Sequence, residues 1–78
     1  MRFKMLYRWN TRVGEFFIGQ SDDGRFHPVF KGESYGSYSQ TWQASEDLAH
    51  GHTYSITGVT DIKSLGIPDH VREWERVH

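Results

Sequence analysis

The sequence predicts an α+β domain, an antiparallel sheet of three or four strands packed on one helix, with a short C-terminal helix. Three observations carry this. Residues 3–9 alternate apolar and polar side chains with a period of two, as a strand with one wet face does. Polar or glycine-bearing breaks at 10–12, 21–24 and 31–33 divide the following apolar runs at hairpin spacing. Residues 40–50 then combine small and apolar side chains at helical spacing and are followed by a glycine.

In the first strand Phe3, Met5, Tyr7 and Trp9 alternate with Arg2, Lys4, Arg8 and Asn10, and only Leu6 is out of phase. After the polar break, the β-branched and aromatic content of 13–19 indicates a second strand, hairpinned to the first. Ser21, Asp22, Asp23 and Gly24 form a turn into a third strand over 25–31. Pro28 cannot donate to a ladder, so this strand lies at an edge or turns its missing donor outward. A short fourth strand over 34–38 follows the turn at 31–33, with Gly36 allowing close approach of another element.

Ser39 is placed to cap a helix running from Gln40 to about His50, and Gly51 stands where a left-handed residue ends it. Trp42, Ser45 and Ala49, flanked by Ala44 and Leu48, form the face expected to cover the sheet. Residues 52–58 are read as a last strand or an extended segment, and Asp61 as the start of a single helical turn. Ile67, Val71 and Trp74 fall at i, i+4 and i+7, with Pro68 in a first-turn position, which predicts the short final helix.

Seventy-eight residues without an internal repeat or linker make one small domain, 1–78. At this size only about 60% of the unfolded surface is buried, so stability is marginal. Cysteine is absent, which excludes disulfides, thiolate metal sites and cysteine nucleophiles. The 15% aromatic share, against 36% hydrophobic residues in all, means that rings supply much of the core. A net charge of -1 argues against a strongly basic polyanion binder. The opening residues are too charged for a secretory signal, and no run approaches the roughly 20 apolar residues of a membrane span. A cytoplasmic location with no membrane contact is the resulting expectation.

Five histidines in so short a chain invite a metal reading, and His50 and His52, with the Asp47 carboxylate, are the nearest to a ligand set. Gly51 between them would throw the rings in different directions, and a histidine at a helix end already gains from the dipole. No metal or other cofactor is therefore expected. The acids nearest the sheet–helix junction, Glu33, Glu46 and Asp47, lie in a turn or on a helix face where solvation explains them, and His52 is the imidazole beside them. Ser37 and Ser39 read as turn and capping residues, and the glycines of 32–36 lack the spacing of a phosphate loop. The chain is read as noncatalytic.

Two binding surfaces remain. Arg25, His27, Val29 and Lys31 share one face of the third strand, and Lys4 and Arg8 share the polar face of the first. Lys4, Arg8, Arg25 and Lys31 together would form a cationic sheet surface for nucleic acid. Charges on exposed strands also keep sheets from pairing edge to edge, which is the plainer explanation. The second surface is aromatic: Tyr35, Tyr38 and Tyr54, with Trp42 nearby, would anchor a protein partner if exposed together.

The run Gly24 to Phe30, then Gly36, Ser37 and Tyr38, then Gln43 through Thr53, and last Leu65 to Pro68 with Trp74, resembles a small uncharacterised bacterial protein family. That resemblance implies a compact bacterial domain and assigns no activity. The plan of three strands followed by a helix, over residues 13–50, is similar to plant AP2-type and phage-integrase arm-binding domains, which bind DNA through the sheet. The acidic helix and the net charge depart from that pattern. The leading expectation is a noncatalytic protein-interaction or accessory domain, monomeric or weakly homodimeric. Sheet-mediated nucleic-acid binding is the alternative.

Overall fold

A computed structural model describes residues 3–53, 56, 58, 59 and 61–77. The elements are β1 (Lys4–Thr11), β2 (Gly14–Gln20), β3 (Phe26–Phe30), β4 (Glu33–Ser34), helix α1 (Thr41–Ala49) and β5 (Glu75–Arg76), with 3-10 turns at Ile62–Leu65 and Val71–Glu73. The sheet has five strands in the order β4-β3-β2-β1-β5, every neighbouring pair antiparallel, and α1 packs against it. The α+β arrangement follows the sequence. The strand count exceeds it by one, because the C-terminal residues return to pair with β1.

Leu6 is the residue that breaks the simple alternation. Met5 pairs with Gly19 and Tyr7 with Ile18, so β1 carries one extra residue at this point. A bulge of this kind inverts the side-chain phase of everything beyond it. Tyr7 and Trp9 lie opposite the buried Ile18 and Phe16 and pack against the core, whereas Phe3 and Met5 belong to the face of Gly19 and His27. Thus the four rings and thioethers expected on one face are divided between two.

The core lies between the sheet and α1. Phe16 and Ile18 of β2 are fully buried, and the Phe16 ring stacks on Phe30 of β3 at 4.4 Å between centroids and 18° between planes. Ala44, Ser45, Leu48 and Ala49 form the covered face of α1. Alanine and serine let the helix axis approach the sheet, and the Ser45 hydroxyl is satisfied at the carbonyls of Trp42 (3.1 Å) and Asp69 (3.2 Å). Ile67, Val71 and Trp74 close the other side of the core, with the Trp74 indole donating to the Pro68 carbonyl at 2.9 Å.

Several local expectations are corrected. Trp42 does not belong to the covered helix face: it is 44% exposed, against 5% for Trp74. The helix cap is Gln40, which makes no capping side-chain bond, and Ser39 donates instead to the Gln43 amide oxygen at 3.0 Å. At the other end, the amides of Gly51 and His52 return to the carbonyls of Leu48 and Asp47 at 3.2 and 2.8 Å, with Gly51 at φ +75°. These two bonds are the Schellman pattern, and the glycine tolerates its left-handed geometry.

The fourth strand is two residues long, not five. Lys31 and Gly32 both have positive φ and form the two-residue connection between β3 and β4. The ladder stops two residues later because Pro28 has no N–H to offer; its carbonyl still accepts the Tyr35 amide at 2.9 Å. Tyr38 rejoins β3 through a single bridge to Phe26. Of the strand read over 52–58, residues 54, 55 and 57 lie outside the described residues; Ile56 is buried in the core. Asp61 precedes a 3-10 turn as expected. The predicted final helix is only the turn Val71–Glu73, because the backbone is extended at both His70 and Trp74 and continues into β5.

Burial fixes an expected contrast between two tryptophans. Trp74→Ala should destabilise the domain by about 3–5 kcal/mol, whereas Trp42→Ala should cost under about 1 kcal/mol; urea midpoints of the two variants check this.

Candidate functional site

A groove with chemistry around it lies where the β2–β3 turn, the segment before α1 and the first two turns of α1 meet. It has a volume of about 400 Å³ and is lined by Arg25, Ser37, Tyr38, Trp42, Gln43 and Glu46, with Ser39 and Asp47 at its margin. The helix dictates half of this wall. Once Ala44, Ser45 and Leu48 face the sheet, residues 42, 43 and 46 fall outside that stripe. Trp42 and Glu46 are i and i+4, hence neighbours on one helix face.

The opposite wall is held by Arg25. Its Nε donates to Ser37 Oγ at 2.5 Å and its Nη2 to the Ser37 carbonyl at 3.1 Å. Among the described residues Arg25 has no carboxylate partner, and neither Glu46 nor Asp47 meets a cation. The groove is therefore polarised, with one cation at the strand side and two carboxylates at the helix side, across an exposed indole. A second cleft of about 280 Å³ adjoins it, lined by Tyr35, Gly36, Ser37, Tyr38, His52 and Thr53. Tyr38 and Ser37 border both. Tyr35 is half-buried and donates to Glu33 Oε2 at 3.0 Å. Partial burial first, and this bond second, hold its phenol above the ordinary tyrosine value. Tyr54 lies outside the described residues.

Of the aromatic residues singled out from sequence, Tyr35 and Tyr38 thus border adjoining clefts, and Trp42 completes the strip. The cations are scattered instead. Lys4 pairs with Gln20, on the phase before the bulge, and Arg8 pairs with Phe17, on the phase after it, so the two lie on opposite faces. Arg8 Nε donates to Glu75 Oε2 at 2.6 Å, and Arg8 Nη1 lies 3.2 Å from Glu15 Oε2. Those bonds, to Glu75 above all, hold its guanidinium above even the usual arginine value. Lys31 sits in the turn with its ammonium 5.4 Å from the Phe30 ring centre. Arg25 is turned onto Ser37. The four charges do not form one surface.

His27 and Val29, read as members of that cationic face, are buried. The Phe3 ring covers His27 at 4.9 Å. His27 Nδ1 lies 2.7 Å from the Gly36 carbonyl, which can only accept, and Nε2 lies 2.9 Å from Ser21 Oγ. Ser34 Oγ also donates to the Gly36 carbonyl at 2.8 Å. The Ser21 hydroxyl in turn bonds the Asp23 carboxylate. A serine beside an imidazole is the start of a nucleophilic dyad. Here the hydroxyl bonds an anion that would repel a developing oxyanion, so the arrangement instead locks the turn after β2 to the turn after β4. That hydroxyl, then the Arg25 amide, hold the Asp23 carboxyl below the usual range.

His50 Nε2 lies 3.6 Å from Asp69 Oδ2, and the His50 and His52 rings stand edge to face, 6.0 Å apart. Among the described residues no three His, Asp or Glu side chains converge as a metal set. Among them, too, no helix is long and apolar enough to cross a membrane. No known protein family, curated protein or solved structure matches the chain.

Two outcomes follow from the buried imidazole and its neighbours. His27→Leu removes one of the bonds made by the Gly36 carbonyl and by the Ser21 hydroxyl, each of which keeps another partner, and should cost about 1 kcal/mol, read as a thermal midpoint lowered by roughly 4–8 °C. Asp23 has a lowered folded-state pKa, so its contribution is full above the unfolded carboxylate value and is lost as pH falls through the folded value. The stability difference between wild type and Asp23→Asn should therefore be constant at neutral pH and shrink below about pH 4, as measured by denaturation at stepped pH.

Proposed function

We propose that this domain is a noncatalytic interaction module that binds a partner protein through the strip Tyr35, Tyr38 and Trp42 and the groove beside it. One observation carries the reading. Trp42, an indole like the buried Trp74, is 44% exposed, while Phe16, Phe30 and Leu48 are also buried; of the described residues only Val77 is a comparable exception. Tryptophan is the residue type most enriched at binding hot spots, because its ring brings a large rigid area at small entropic cost. In a domain short of apolar side chains, an indole left half in water is the costliest one to misplace.

The alternative, nucleic-acid binding through Lys4, Arg8, Arg25 and Lys31, has less support. Polyanion affinity grows with the number of phosphates neutralised from one surface, and Arg8 already serves two carboxylates. A bacterial, cytoplasmic setting and a monomeric or weakly dimeric state belong to the same proposal.

Peptides selected from a displayed random library on the wild-type domain should bind Trp42→Ala at least about tenfold more weakly, about 1.4 kcal/mol. Selected peptides indifferent to Trp42→Ala overturn the site. Binding of an oligonucleotide that weakens steeply with salt and with Arg25→Ala overturns the reading in favour of the cationic alternative.

A further inference from the structure

Resting on that reading, we infer that the occupant of the Trp42 groove is a partner-protein segment carrying an arginine or lysine beside an apolar residue, its cation seated over Trp42 against Glu46 and Asp47. Glu46 follows Trp42 by four residues, so its carboxylate stands one helical turn from the indole on the same face. Asp47 adds a second negative charge at the same end of the groove. Among the described residues these carboxylates have no cationic partner, and a cation–ring contact is made by Lys31 over Phe30, with none over Trp42. The groove therefore holds the two things a guanidinium or ammonium group seeks, the face of an indole and a carboxylate within one side-chain length.

Arg25 explains why a cation from outside is needed and where it sits. Its guanidinium is tied to Ser37 Oγ and to the Ser37 carbonyl on the far wall. The incoming cation is repelled from that wall and drawn to the helix side, so the groove fixes the direction of the bound segment. The N–H groups that Arg25 does not use face the partner's backbone carbonyls or an acidic side chain. Tyr38 and the methylene stems around Trp42 receive the apolar neighbour. An acidic side chain placed over Trp42 instead of the cation would meet Glu46 and Asp47 and is disfavoured by like-charge repulsion.

The experiment uses three acetylated, amidated heptapeptides built of serine and leucine, alike except for a central arginine, citrulline or glutamate, titrated into the isotopically labelled 78-residue chain. Citrulline keeps the shape of arginine and removes its charge. The arginine peptide should bind at least tenfold more tightly than the other two and shift the Trp42 indole resonance. In the Glu46→Gln, Asp47→Asn double variant that preference should fall to about threefold or less, with the spectrum otherwise unchanged. Equal binding of the arginine and citrulline peptides, with Trp42→Ala still weakening both, overturns the cation inference and leaves the interaction surface standing. Tight arginine binding that survives both Trp42→Ala and the double variant also overturns it, by placing the cation elsewhere. Absence of binding by all three overturns it as well, while library selection on Trp42 decides the broader reading separately.

Discussion

The stacked pair Phe16 and Phe30 is the contact around which the domain is organised. It joins the central strand β2 to β3 on the side that α1 covers, and Ile18, Leu48 and Trp74 belong to the same core cluster. Two rings 4.4 Å apart bury more apolar area per residue than any aliphatic pair could. In a chain with so few leucines and isoleucines, cohesion depends on that economy. It also explains the composition of α1: a helix laid over flat, closely spaced rings must present alanine and serine, and does so at Ala44, Ser45 and Ala49.

This constraint reaches the groove directly. Because Ala44, Ser45, Leu48 and Ala49 occupy the covered stripe, the largest side chain of α1, Trp42, is carried to its flank. There it lines the same groove as Tyr38, which is held by its bridge to Phe26 at the start of β3. The groove is thus a by-product of close helix–sheet packing. Its charges come from residues that have no role in the core, which is why Arg25, Glu46 and Asp47 can face one another unpaired.

Much of the sheet was legible from single residues. The period of two in β1, the turn ending at Gly24 and the Lys31–Gly32 connection each have a local physical cause that a sequence displays. The phase inversion at Leu6 does not, because a bulge depends on the register of a neighbouring strand, and nothing in residues 3–9 alone distinguishes an extra residue from an apolar side chain facing water. The C-terminal strand was hidden for a related reason: its partner, β1, is 67 residues away, as the Arg8–Glu75 bond shows. Trp42 was misplaced because hydrophobicity was weighed above volume. The stripe Ala44, Ser45, Leu48 is visible once close approach is the criterion. That Tyr35 and Tyr38 border adjoining clefts agrees with their spacing in the sequence, whereas strand parity alone groups the four cations, and the bulge and the turn at Lys31 both break it.

The extra residue at Leu6 also separates the history of β1 into two pieces. Before it Phe3 roofs His27, and after it Tyr7 and Trp9 pack against the core beneath the helix. A descendant chain lacking that one leucine would turn Phe3 and Met5 inward beneath α1 and leave the buried imidazole open to water. The length of this strand opening is therefore as constrained as the ring at Phe3, which is unusual at the fringe of a protein.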